Sequence, residues 1–368
     1  MRIAAIDVLR GLCMVLVVWG HNAQFTDTVL NEWLGAIRMP MMFFIAGSFL
    51  PTQSTWRALA WDKADALLKP FIVMALLQAP LRWYLGQTDP SSFAIGLLAG
   101  GGHYLVWIFP LWYLTHLWWL FMVGHAVVNH ARYARWDAMS RVALVAALML
   151  FGAWLAQLDL DAASPDARAA GWQGMPFRLD ALPTHLAYFL LGHEARQALR
   201  AWSGAWPRLL SSTLLFAGGQ YWLNRHSVTE ASGDLVAHTV IGLLTTLAGM
   251  SAMASVAVRL ASWSWARTVL ARCGRDSLLI LLFHSPLQSV ATRWLEPAGG
   301  TSGGWGTGLL AWAFAVAGSL SLAVAIRRHP ILSRCWLPRS QWAPRPTHNR
   351  ASPAVSAPTA IDETAHPA

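Results

Sequence analysis

The chain has 368 residues, 55% of them apolar and only 12% charged, with 22 tryptophans and a formal charge of +9. Soluble domains carry about 25% charged residues, so the charges here are too few to cover a water-facing surface. Tryptophan, by contrast, collects at membrane interfaces. The basic residues fall in short clusters between apolar runs rather than in one patch, which argues for membrane topology and against nucleic acid as a partner.

A run that crosses a bilayer takes about 17–25 residues. In chain order such runs lie near 4–25, 34–50, 66–86, 104–128, 140–157, 181–195, 208–224, 235–258, 275–293 and 305–326. They predict an all-α integral membrane fold, a bundle of about ten transmembrane helices. A further apolar stretch, Ser92–Gly102, ends in three glycines and reads as a re-entrant or interfacial piece. The first run is followed by His21 and Asn22 rather than by a small-residue cleavage site, so it reads as a retained span. Residues 1–328 form the expected membrane domain. Residues 329–368 read as a cytoplasmic tail, Pro-, Ala- and Thr-rich and largely disordered after about 340.

The loops after the second, fourth, sixth and eighth runs, together with the two terminal segments, hold 20 of the 27 basic residues. The opposite side has Arg82, Arg168, Arg178, Arg225 and Arg293, and its longest loop is acidic, with Asp159, Asp161, Asp166 and Asp180. The positive-inside rule then places both termini in the cytoplasm. Cys13, Cys273 and Cys335 have neither metal-ligand spacing nor a paired framework. No metal site, disulfide or catalytic thiol is expected.

An ionisable side chain in mid-membrane is costly, and each one marks a candidate site. The first run, IDVLRGLCMVLVVWGH, holds Asp7, Arg10 and His21. Arg10 and His21 are 11 residues apart; at about 100° per residue they share one helix face, about 16.5 Å apart along the axis. Asp7, one turn before Arg10, can pair with it. The plainer alternative has Asp7 and Arg10 reaching the cytoplasmic interface while His21 caps the outer end. Imidazole is the side chain suited to base work near neutral pH. His284 lies mid-run beside Pro286, where a proline frees a backbone carbonyl that the ring can satisfy. His116, His125, His185, His193 and His238 read as packing or interface histidines.

These residues carry a resemblance. LRGLCMVLVVWGH resembles the opening signature of the acyltransferase 3 family, an Arg and a His separated by ten residues in the first helix. MPMMFFIAGSFL (39–50) resembles the family's second-span block, Lys63 through Lys69-Pro70 its basic stretch before the third span, LWYL (111–114) a Trp-aromatic block and LLILLFHSPL (278–287) a late His-x-Pro-Leu element. Two departures stand out. Ala46 replaces the second-span serine, with Ser48 displaced by two, and lysines with Asp62 stand where arginines are usual.

The resemblance implies a membrane O-acyltransferase of the bacterial inner membrane, with acetyl-CoA as co-substrate and no tightly bound cofactor. The implied acceptor is a hydroxyl of a surface or secreted glycan, or of a lipid-linked oligosaccharide; an exopolysaccharide such as a xanthan-like polymer fits a chain of this size. Association with polysaccharide assembly machinery would follow. In this reading Arg10, Lys63 and Lys69 hold anionic parts of the donor, and Asp7 orients Arg10. His21 takes the acceptor's proton or carries the acyl group. His284, Trp112 and Tyr113 are candidate substrate contacts, although the two aromatics also suit belt or packing roles. The alternative is a multi-span transporter or flippase of a glycan or lipid-linked sugar, against which stands the lack of a visible internal repeat.

Overall fold

A computed structural model describes residues 4–101, 105, 108, 110–162, 175–226, 235–295 and 304–342. Among these the chain is helical with no strand. A helix stands at each of the ten expected positions: α1 Ala4–Gly20, α2 Val29–Ser48, α3 Trp56–Lys63 with α4 Lys69–Tyr84, and, after a short α5 Pro90–Leu98, α6 Trp112–Val128. Then come α7 Ala138–Ala162, α8 Leu182–Glu194, α9 Trp206–Arg225, α10 Leu235–Ser262, α11 Ser264–Arg275, α12 Ser277–Leu295 and α13 Trp305–Arg328.

Among the described residues four helices are long and apolar enough, by length and composition, to cross a membrane: Trp56–Tyr84, Ala138–Leu158, Leu235–Ser262 and Trp305–Arg328. The rest are shorter or more polar, α8 having 13 residues. The first helix also stops sooner than its apolar run, because Gly20 ends α1 and His21 sits in the following turn. The Ser92–Gly102 stretch is α5, capped by Asp89, whose carboxylate accepts from the N–H groups of Ser91 and Ser92 at 2.9 and 3.0 Å. Of its glycine run, Gly102 lies outside the described residues, as do Asp166, Arg168 and the tail beyond 342.

Small residues set how closely these helices pack. Where α2 crosses α8, a Cβ on Gly47 would run into the Phe189 carbonyl, and one on Gly192 into the Phe44 carbonyl. The same reciprocity joins α1 to α11: a Cβ on Gly11 would meet the Leu270 carbonyl and one on Gly274 the Asp7 carbonyl. Backbones in direct contact are what small residues permit between membrane helices, where lipid supplies no hydrophobic drive for association.

Two polar clasps hold helices together, one at the turn between α11 and α12 and one on the long helix made by α3 and α4. Asp276, buried between them, takes ion pairs from Arg272 at 2.5 Å and from Arg327 of α13 at 2.6 Å. A π turn, Ala64–Leu68, makes α3 and α4 one continuous helix. On it Asp65 accepts from Lys69 at 2.7 Å and from the N–H of Arg339 at 2.6 Å, while Lys69 also donates to the Leu337 carbonyl at 2.7 Å. The first part of the tail, a helix over Pro330–Trp336 with buried Trp336 and Leu337, is thus docked onto this long helix.

Gly47→Ala forces two backbones apart, and overpacking of this kind costs about 1–3 kcal/mol. Detergent-solubilised G47A is expected to melt several degrees below the wild type, whereas Gly218→Ala, with open space around it, should melt with it; equal melting of G47A and wild type would contradict the crossing.

Candidate active site

Two cavities meet in the centre of the helix assembly. The first, of about 230 Å³, is lined by Arg10 and Met14 of α1, Met42 of α2, Lys63 of α3, Tyr113 of α6 and Ser277 and Leu281 of α12, among others. The second, of about 290 Å³, is lined by His21, Arg38, Trp112, Tyr113, Arg178 and His185 with their apolar neighbours. Met14, Met42, Tyr113 and Leu281 line both. Among the described residues no carboxylate lines either cavity, and each presents two cationic side chains.

The first cavity gathers the basic residues expected to act together, with one exception. The Arg10 guanidinium donates to Ser277 Oγ at 3.0 Å, a contact spanning the chain from its first helix to α12. The Lys63 ammonium sits 4.5 Å from the centre of the Phe121 ring and 3.5 Å from Asp62. Lys69 points elsewhere, into the clasp with Asp65 and Leu337. Asp7 is buried on α1, where its backbone carbonyl meets Gly274, and it lines neither cavity.

In the second cavity, His21 combines the two readings the sequence offered. Its Nδ1 donates to the Val17 carbonyl at 2.8 Å, one of the carbonyls that the end of α1 leaves without an intrahelical partner. A carbonyl only accepts, so the proton is on Nδ1 and the lone pair on Nε2. The rest of the ring is exposed and forms part of the cavity wall. The ring is thus both cap and wall.

His284 stands behind it rather than at the wall. The two rings are edge to face with centroids 5.1 Å apart. Fully buried, His284 donates from Nδ1 to the carbonyls of Ile280 and Leu281, both at 2.9 Å. These are not the Leu282 carbonyl that Pro286 frees, so the ring satisfies neighbouring carbonyls instead. It braces His21.

Arg38 reaches the same wall because Gly20 has no side chain: a Cβ there would collide with the Arg38 guanidinium. Asn31 holds the guanidinium by accepting a hydrogen bond at 2.7 Å. Arg178 pairs with Asp180 at 3.1 Å and lies 5.8 Å from the Trp112 ring centre. It and Phe177 have left-handed backbones, φ 55° and 58°, a strained state for residues with side chains that recurs at functional sites.

Trp112 and Tyr113 are at the site as cavity walls, Tyr113 buried at the junction of the two. His185 is there as well, stacked on Phe43 at 4.2 Å and on Trp112 at 6.0 Å. Arg38, Arg178, His185 and Ser277 are the residues that sequence reading did not bring to the site. The sequence marked His185 as a packing or interface histidine, and it held no sign of which polar groups in or beside the spans faced a cavity. No group of three metal-ligating side chains occurs among the described residues.

Comparison with known proteins agrees with this picture. No curated protein and no solved structure matches the chain. The family model described as the acyltransferase domain matches residues 3–328, which takes in both cavities and every helix from α1 to α13. The chain therefore belongs to the acyltransferase 3 family and is a membrane acyltransferase.

Proposed function

We propose that the chain transfers acetyl from acetyl-CoA to a hydroxyl of a bacterial surface or secreted glycan, an exopolysaccharide such as a xanthan-like polymer among the candidates. One observation carries this reading: two cationic cavities, one with Arg10 and the other with His21, share a wall of four side chains. Each is smaller than the ~300–1,000 Å³ of pockets that enclose a whole drug-sized ligand. They suit the reacting ends of two substrates brought together, with the bulk of each lying outside.

The first cavity is the donor side in this reading. Arg10 and Lys63 supply charge for the donor's anionic groups, and Ser277 holds the Arg10 fork in place. Lys69, tied up in its clasp, does not take part. The second cavity is the acceptor side, where Trp112 and Tyr113 offer aromatic faces and Arg38 and Arg178 offer charge. His21, with Nε2 free, takes the acceptor's proton or carries the acyl group on that nitrogen. Such roles contribute about 10²–10⁴-fold to a rate.

The topology that goes with it has ten spans, with both termini on the cytoplasmic side of the bacterial inner membrane. The asymmetry of the basic residues supports this orientation. It puts Arg10, near the start of α1, toward the compartment that holds acetyl-CoA. Polysaccharide assembly machinery on the same membrane is the natural partner.

The test is the acetyl content of the cell's glycan, measured by mass spectrometry with the wild type and with His21→Ala at matched membrane abundance. Acetylation is expected to fall by about 100-fold or more. Equal acetyl content would remove His21 from the chemistry, and export failure with acetylation intact after gene deletion would favour transport instead. A second measurement addresses the donor side: Arg10→Ala should weaken acetyl-CoA binding to membrane vesicles by about tenfold or more, as for a lost charged hydrogen bond. Ser277→Ala should weaken it less. Unchanged affinity in Arg10→Ala would move the donor elsewhere.

A further inference from the structure

His116 and His185, which read as packing histidines in the sequence, form a hydrogen-bonded pair at the second cavity with a fixed arrangement of protons. His116 is fully buried, and its Nδ1 lies 2.8 Å from the Phe177 carbonyl oxygen. That oxygen only accepts, so Nδ1 carries the proton and neutral His116 has its lone pair on Nε2. This Nε2 is 2.9 Å from His185 Nδ1. His185 must then donate from Nδ1, which leaves its own lone pair on Nε2.

The orienting end of this chain is itself held. Phe177 adopts its left-handed φ of 58° while its N–H donates to the Ala99 carbonyl, at the end of α5, at 2.7 Å. Helix α5 thus fixes Phe177, Phe177 fixes His116, and His116 fixes His185. A base whose other nitrogen is oriented by a second group, itself oriented by a third, is the arrangement that prepares imidazole for proton transfer. His185 Nε2 makes no hydrogen bond among the described residues, and the ring lines the same cavity as His21 and Arg38.

We propose that His185 is the base on the acceptor side: its Nε2 takes the proton of the glycan hydroxyl as that oxygen attacks the acyl carbon. This rests on the acyl-transfer reading above and adds a second imidazole to it. The step balances whether the acyl group arrives on the donor's sulfur or on His21 Nε2. The O–C bond forms, the bond from the acyl carbon to its carrier atom breaks, and the carrier atom keeps the electron pair. The hydroxyl proton passes to His185 and from there to water, while the donor thiolate takes a proton from water. With His185 at the hydroxyl, His21 is left for the acyl group, which is where the cation Arg38 lies beside it.

The experiment uses the full chain with His185→Asn, whose amide N–H can replace Nδ1–H toward His116, and with His185→Gln as a second variant. Glycan acetylation in cells and binding of radiolabelled acetyl-CoA to membrane vesicles are measured at matched abundance. Acetylation is expected to fall about 100-fold or more in both variants while donor affinity stays within about threefold of the wild type. Undiminished acetylation in either variant overturns the proposal. So does loss of donor binding in step with acetylation in both, which would mark His185 as structural. Wild-type vesicles that bind no acetyl-CoA would instead overturn the acyl-transfer reading on which it rests.

Discussion

At the crossing of α2 and α8, Gly47 and Gly192 let each backbone rest on a carbonyl of the other helix. At the crossing of α1 and α11, Gly11 and Gly274 do the same. The first contact fixes Met42 and Arg38 of α2 relative to His185 of α8; the second fixes Arg10, Met14 and His21 relative to the α11–α12 turn that carries Ser277. Every side chain shared by the two cavities, or holding a charge in them, is placed through one of these helices or a neighbour packed on them. Bulk at either crossing would separate the groups that have to meet.

The polar groups that this packing encloses are handled in a consistent way. Each imidazole at the site gives its Nδ1 proton to a carbonyl or to another ring: His21 to Val17, His284 to Ile280 and Leu281, His116 to Phe177, His185 to His116. A fixed tautomer leaves Nε2 as the nitrogen with a lone pair in every case. The charged groups divide differently. Asp276 and Asp65 neutralise arginine and lysine where helices are clasped together, whereas at the cavities Arg10 is held by Ser277 and Arg38 by Asn31, and Lys63 and Arg178 have Asp62 and Asp180 beside them. Cationic side chains on the described walls of both cavities suit a phosphate-bearing donor and disfavour a cationic substrate.

Much of this was legible in the sequence, and the reasons are specific. The apolar runs located a helix at every expected position, because length and hydropathy are local properties. Arg10 and His21 stood out because charge in an apolar run is expensive, and the geometry does place both at one pair of joined cavities. What failed to show was anything decided by a partner far along the chain. Ser277 meets Arg10 across 267 positions and His185 meets His116 across 69, and nothing local in either serine or histidine reports that contact. The resemblance groups Lys69 with Lys63, yet Lys63 lines the cavity while Lys69 is held by Asp65 and by Leu337, 268 positions along the chain. The first expected span runs to residue 25, but the helix ends at Gly20, where the sequence turns polar with His21 and Asn22.

The central claim is that donor and acceptor meet at the wall formed by Met14, Met42, Tyr113 and Leu281. A structure of the full chain with a non-transferable thioether analogue of acetyl-CoA addresses it directly. The account predicts the analogue's acyl carbon at that wall, its pantetheine arm passing Arg10 and Lys63, and His21 facing the carbon from the other side. An analogue bound with its acyl end away from that wall, or outside the cavity that holds Arg10, would contradict it.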